Sequence, residues 1–330
     1  MPVDIRAVNT EMGQWVAYAT TNVSIQPVEN FVLGETKPTA SNVGYVAGTT
    51  FTIVNGNQTY STDNQVIENR RFTGKVSVTG KNITFRNCWF NAASTNSNTV
   101  QVTNTNAQNI MFDRCTFRPS SFSSTINCVF GHDFTLYRCD VSGGVDGVDV
   151  YRSSTGGALN VSILGTWIHD LGYWSPDSSH ADNQSHNDLI QIHYGGTDLH
   201  IMGCRLDGTA DPTVGNANEP SVDDANGTHL SGNKYYPLMT AMSVVMASPV
   251  STTAGLTNFI FEQNWADGGQ VMINWPRSDG TNIQIINNRW GHNTLLGDTY
   301  TILAQAAQPM TITGNYYEDT ATPYNGRRNG

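Results

Sequence analysis

The sequence predicts an all-β chain wound as a right-handed, single-stranded parallel β-helix, with a small N-terminal cap or attachment segment. Three observations carry this expectation. A nine-residue motif, Asn-Φ-x-Φ-x-x-[Cys/Asn/Thr]-x-Φ with small variations (Φ apolar), recurs eight times between residues 82 and 317. A second, alternating apolar run recurs between the copies. Outside two longer steps the copies start 24–27 residues apart, a repeat that suits coils of two or three short strands joined by polar turns. Leucine-rich repeats, the α-helical period and propeller blades of about 40 residues would each leave a different pattern.

The first 50 residues hold no copy and read as a separate element. They cap the open end of the solenoid or attach it to something else, because an uncapped β-helix exposes strand edges and apolar core. "NQVIENRRF" (64–72) is a worn first copy and so a terminal coil, which sets an N-terminal segment at 1–60 and the solenoid at 61–320. The full copies follow: "NITFRNCWF" (82–90), "NIMFDRCTF" (109–117), "DFTLYRCDV" (133–141), "NVSILGTWI" (160–168), "DLHIMGCRL" (198–206), "NFIFEQNWA" (258–266), "NIQIINNRW" (282–290) and "PMTITGNYY" (309–317). Between them lie "TVQVTN" (99–104), "GVDVYR" (147–152), "LIQIHY" (189–194), "SVVMAS" (243–248), "VMINWP" (271–276) and "TILAQA" (301–306). The step from 160 to 198 hides an insertion at about 169–187, and the step from 198 to 258 a loop at 207–236. Residues 321–330 are left as a C-terminal tail.

The cysteines set the register. Cys88, Cys115, Cys139 and Cys204 share one motif position, filled elsewhere by Thr166, Asn264, Asn288 and Asn315. Stacked coils lie about 4.8 Å apart, so this position forms an internal ladder of small polar side chains. Parallel Cβ vectors on neighbouring coils are poor disulfide geometry, which predicts free, buried thiols. Cys128 lies outside the series and reads as core.

Composition narrows the partner. Only 13% of residues are charged and the formal net charge is −10. That argues against a nucleic-acid reader, which needs Lys and Arg against phosphates, and favours a neutral or weakly charged partner. No apolar stretch is long enough to span a membrane, and the N-terminus lacks the basic head and apolar run of a secretory signal. A protein with this beginning stays in its cell or leaves by another route, such as virion assembly followed by lysis.

Alternation predicts which side chains leave the core. With Val148 and Val150 inward, Asp149 and Tyr151 point out, followed one coil later by Gln191 and His193. Laying "DGVDVY" over "DLIQIH" stacks Asp146 on Asp188, Asp149 on Gln191 and Tyr151 on His193, and Asn274 joins the row one coil on, with Trp275 and Arg277 beside it. Asp, Asn, Gln, Arg and His hydrogen-bond sugar hydroxyls while Tyr173, Trp174, Tyr151 and Trp275 receive apolar sugar faces. Glycoside hydrolysis needs two carboxyls about 5–10 Å apart, a role open to Asp149 with Asp146 or Asp188. Lyase chemistry needs a base and a cation, roles open to His186 or His193 with Arg152. His169, His180, His186, His193 and His200 crowd 169–200, but their spacing is no metal signature. Calcium is conceivable in the 207–236 loop through Asp207, Asp211, Asp223 and Asp224, without a motif to support it.

The stretches "VIENRRFTGKVSVTGKNITFRNCWF" (66–90) and "SSHADNQSHNDLIQIHYG" (178–195) resemble the pectate-lyase-like β-helix proteins among minor tail proteins and tailspikes of phages infecting actinobacteria. The resemblance covers roughly 64–320. It implies the fold, a homotrimer, a virion location, docking to other tail proteins through the N-terminus, and a host cell-envelope polysaccharide as partner. Its His-x-Asp-x-x-Gln element falls on His186, Asp188 and Gln191. The motifs of polygalacturonases and the catalytic Arg and calcium carboxylates of pectate lyases are missing, apart from a faint "GVDGVD" echo, so no pectin activity follows. The expected function is a tail subunit that binds, and in one version depolymerises, a surface glycan. The rivals are a free polysaccharide lyase or hydrolase and a purely structural tail component.

Overall fold

A computed structural model describes residues 31–93, 98–121, 123–152, 157–174, 177–178, 185–193, 195–208, 255–294, 297 and 301–329, together with the backbone of 210–215 and 243–247. The described chain is all-β and forms a parallel β-helix, with long parallel sheets of ten, ten and nine strands. Each coil visits the sheets in a fixed order. Thr84–Arg86 lies in sheet C, Trp89–Phe90 in sheet A and Val100–Val102 in sheet B, before Ile110–Asp113 returns to sheet C. The nine-residue motif is therefore a sheet C strand, a tight corner and a sheet A strand, and the second alternating run is the sheet B strand.

The corners explain the motif's polar letters. Its first residue sits at positive φ in Asn82, Asn109, Asp133, Asn160, Asp198, Asn258 and Asn282, all between 48° and 69°. Asn and Asp tolerate the left-handed region better than most side chains. These corner residues also bond to one another: Asn109 Nδ2 donates to Asn82 Oδ1 (3.0 Å), Asn160 Nδ2 to Asp133 Oδ1 (2.7 Å) and Asn282 Nδ2 to Asn258 Oδ1 (2.9 Å). A second left-handed corner precedes the Cys/Asn position, at Asn87, Arg114, Arg138, Gly165, Gly203, Gln263, Asn287 and Gly314.

Inside, like stacks on like. Phe72, Phe90 and Phe117 stack at 5.0 and 4.8 Å, and Phe85 on Phe112 at 5.2 Å. The polar ladder is present: Cys88, Cys115, Cys139 and Cys204 are free and buried. Cys115 Sγ donates to Phe85 O at 3.4 Å. Further along, Asn264 Nδ2 donates to Asn288 Oδ1 (3.1 Å) and Asn288 Nδ2 to Asn315 Oδ1 (2.8 Å). Cys128 is also free and buried, and burial pushes its thiol up to about 12.

The ends differ from the expected boundaries. Thr52–Val54 and Gln58–Tyr60 are already strands of sheets A and B, so the solenoid begins at 52 rather than 61. Residues 31–51 lie along its flank: Val46 N donates to Asn87 Oδ1, Arg138 Nη2 to Asn42 O, Arg289 Nη2 to Gly34 O and Lys37 Nζ to Glu318. Gly34 and Gly44 have positive φ, and a Cβ on either would overlap solenoid side chains, which is why this strap fits so closely. Residues 1–30 lie outside the described residues. The C-terminal tail is not a free tail. Asn325 Oδ1 accepts from Asn315 N, and Arg328–Asn329 joins sheet B.

The first insertion starts one residue later than expected and the second two residues later. His169 ends a sheet A strand, and Asp207 and Gly208 belong to another. Beyond them Leu171–Tyr173 and Ala210–Gly215 pair as a small parallel sheet of their own. Most of the remaining loop residues lie outside the described residues.

Candidate functional site

The expected stacking on sheet B holds. Asp149 is the register partner of Gln191, and Val148 and Val150, both fully buried, pair with Ile190 and Ile192. Phe130 pairs with Asp149 from the preceding coil, and Gln101 with Phe130. Asn274 does join this outer row but two coils after Gln191, because the Ser243–Ala247 strand intervenes with Met246 between them.

Outward direction does not make Asp149 exposed: it is 2% exposed. Its Oδ2 accepts from Asn127 Nδ2 at 2.9 Å, and its Oδ1 lies 3.1 Å from His193 Nδ1. The His193 side chain is 36% exposed, so the pair runs from the covered row to the surface. Burial pushes the Asp149 carboxyl up, partly opposed by His193 and Asn127. Burial works against the His193 imidazolium, yet the hydrogen bond and charge of Asp149 more than offset it and raise its pKa. Beside the pair, Tyr151 stacks on Phe130 at 5.3 Å and 10°, and meets His193 edge-on at 6.4 Å.

Asp146 and Asp188 lie behind this surface. Asp146 Oδ1 accepts the Asp188 N–H at 2.8 Å, and Gln191 Nε2 reaches Asp188 Oδ2 at 3.4 Å. Burial, aided by the Asp149 charge, raises Asp146 to about 7. Both carboxyls are buried and brace the corner that leads into the Asp188–Ile192 strand. The hydrolase pairing read from sequence thus joins three covered carboxyls, of which Asp149 is linked to the surface through His193.

Several expected ligand contacts lie elsewhere. Trp275 is in the core, 1% exposed and edge-on to Phe259 at 5.1 Å, because its alternation parity is inward. Tyr173 is buried in the main core, and Trp174 packs on Val145. None of the three offers a ring face to a sugar. Arg152 turns to Asp133 (2.7 Å) and Ala158 O (2.6 Å) rather than to His193, and Arg277 pairs with its neighbour Asp279. His186 is exposed, two residues before the Asp188–Ile192 strand. His169 is held between Asp170 (2.7 Å) and Asp140 (3.1 Å) on sheet A, and His200 pairs with Glu262 (2.7 Å). His180, Asp223 and Asp224 lie outside the described residues, as does the Asp211 side chain. Among the described residues, no group of three His, Cys, Asp or Glu is arranged to hold a metal ion.

Asn127 and Phe130 escaped the sequence reading. The run "NCVFG" (127–131) contains the sheet B strand of its coil, Val129–Gly131, and the repeat spacing after "TVQVTN" marks its place. Its alternation is cut short by Gly131, where a Cβ would overlap Val102 O.

The geometry describes a β-solenoid with a lateral polar and aromatic site. Compared with models of known families, with curated proteins and with solved structures, the chain matches none.

Proposed function

We propose that the chain binds a host cell-surface glycan on the outer face of sheet B, as a spike or tip subunit of a phage tail. The observation that carries this reading is the Phe130–Tyr151 stack beside the Asp149–His193 pair. It joins apolar ring surface to fixed donors and acceptors, the combination a polyhydroxylated ring requires. Gln101, Gln191 and Asn274 prolong the row along the solenoid axis, which suits an extended glycan. The likeness of 66–90 and 178–195 to phage tail β-helices supports the tail assignment, with docking through the N-terminal residues and a homotrimeric assembly. Among the described residues no helix is long and apolar enough to cross a membrane.

The test is sedimentation of the purified chain with actinobacterial cell envelopes. Phe130→Ala, Tyr151→Ala and His193→Ala are each expected to weaken binding about tenfold, the loss of roughly 1–1.5 kcal/mol of aromatic or hydrogen-bond contact. Unchanged sedimentation of the triple variant, with an unchanged melting temperature, would discard this face and leave a structural rod.

A further inference from the structure

The strap at 31–51 follows the row of left-handed corners that begins at Asn87, and it passes along that row twice. On the first pass the Phe31 ring lies 4.4 Å over the Arg138 guanidinium. Leu33 and Gly34 then cross the corners of Gly165 and Gly203, where a Cβ at Gly165 would overlap the Phe31 ring and one at Gly203 the backbone of Gly34. Gly34 O accepts from Arg289 Nη2 at 3.1 Å, and Lys37 Nζ reaches Glu318 Oε2 of the last coil at 2.6 Å. There the chain turns back. On the second pass Asn42 O accepts from Arg138 Nε (3.1 Å) and Nη2 (2.7 Å), and Gly44 N donates to Arg138 O at 2.9 Å. Tyr45 N then donates to Thr116 Oγ1 at 3.2 Å and Val46 N to Asn87 Oδ1 at 2.7 Å.

The solenoid gives the strap its shape. None of residues 31–51 is in a strand, and their own backbone bonds are local turns, such as Thr36 N to Val32 O and Val43 N to Thr39 O. Both passes meet at Arg138, which is 7% exposed and holds Phe31 on its face and Asn42 O on its edge. The partners of Val46, Asn42, Gly34 and Lys37 lie 41, 96, 255 and 281 residues away in sequence. Contacts across such separations carry a large closure entropy unless the intervening coils are already wound. The strap therefore seats after them.

In a solenoid each coil contacts only its neighbours, so coils can open one after another from an end. A strap bonded to early, middle and last coils opposes this, because it cannot lift from one coil without shifting on the others. We propose that residues 31–51 are a late-closing clamp, which seats only on the wound solenoid and turns a stack of separately opening coils into one cooperative unit. Contacts made after the folding transition state slow unfolding and leave the folding rate alone.

The experiment compares wild type with two variants. Gly34→Ala sets a Cβ against the Gln263 side chain at a left-handed backbone, and Arg138→Lys keeps the charge but removes the planar fork that both passes grip. Stopped-flow folding and unfolding in denaturant is read together with native-state amide exchange followed coil by coil. Each variant is expected to unfold about tenfold faster with an unchanged refolding rate. Wild-type amides of 82–117 and 282–317 exchange through one common opening, and in the variants the two regions exchange separately. A slowed refolding rate, or a variant that does not wind its coils, would place the strap in the folding nucleus and overturn late closure. Unchanged unfolding, wild-type regions that already open separately, or exchange that quickens only beside the substituted residue would overturn the clamp.

Discussion

Asp146 shows how one side chain sets a pH response. Its carboxyl is buried, accepts the Asp188 N–H, and has its pKa raised from the ordinary 3.8 to about 7. Between those values the folded chain keeps a proton that the unfolded chain has released, so its contribution is greatest below about pH 4 and falls as pH rises to 7. Asp146→Asn keeps the acceptor oxygen and removes the charge. It is expected to raise the melting temperature by about 5 °C at pH 8, given roughly 2–4 °C per kcal/mol for a chain of this size. The gain should vanish at pH 4, and an equal gain at both values would show that the buried charge is not its origin.

At the scale of the element, the corner decides more than the strand. Asn109 has φ 53°, donates to Asn82 and precedes the Ile110–Asp113 strand. A β-branched residue there pays for the left-handed backbone and loses the bond, while glycine loses only the bond. Asn109→Val is expected to cost about 2–3 kcal/mol and Asn109→Gly about 1 kcal/mol, measured by denaturant titration. Equal costs would mean that the bond alone matters. The same rule made the repeat legible, because a position that tolerates few residue types leaves a mark in every copy. The Gly131 strand left a fainter mark, its alternation interrupted where backbone approaches backbone.

For the whole molecule, the two ends of the solenoid differ among the described residues. Residues 321–329 fold back over the last coil, with Tyr324 N donating to Asn315 O and Trp290 Nε1 to Tyr324 O. The first coil supplies the terminal strand of each long sheet, and Ile53 and Val66 within those strands are 58% and 46% exposed. Unequal ends suit an assembly that docks by one of them. The homotrimer proposal expects a native mass of three times 36.0 kDa, and a single 36.0 kDa species at micromolar concentration would reject it.

By itself the sequence determined the solenoid, the Cys/Asn ladder and the register that stacks Asp149 on Gln191 and Tyr151 on His193, because each follows from a period repeated many times. Only the tertiary structure decided what that register exposes. Alternation separates inside from outside. It does not say that Asp146 and Asp188 are covered, that Trp275 has inward parity, or that Arg152 turns to Asp133. Burial and partner choice depend on what lies across the surface, and in this chain that is set by the strap, the inserted loops and the neighbouring coils.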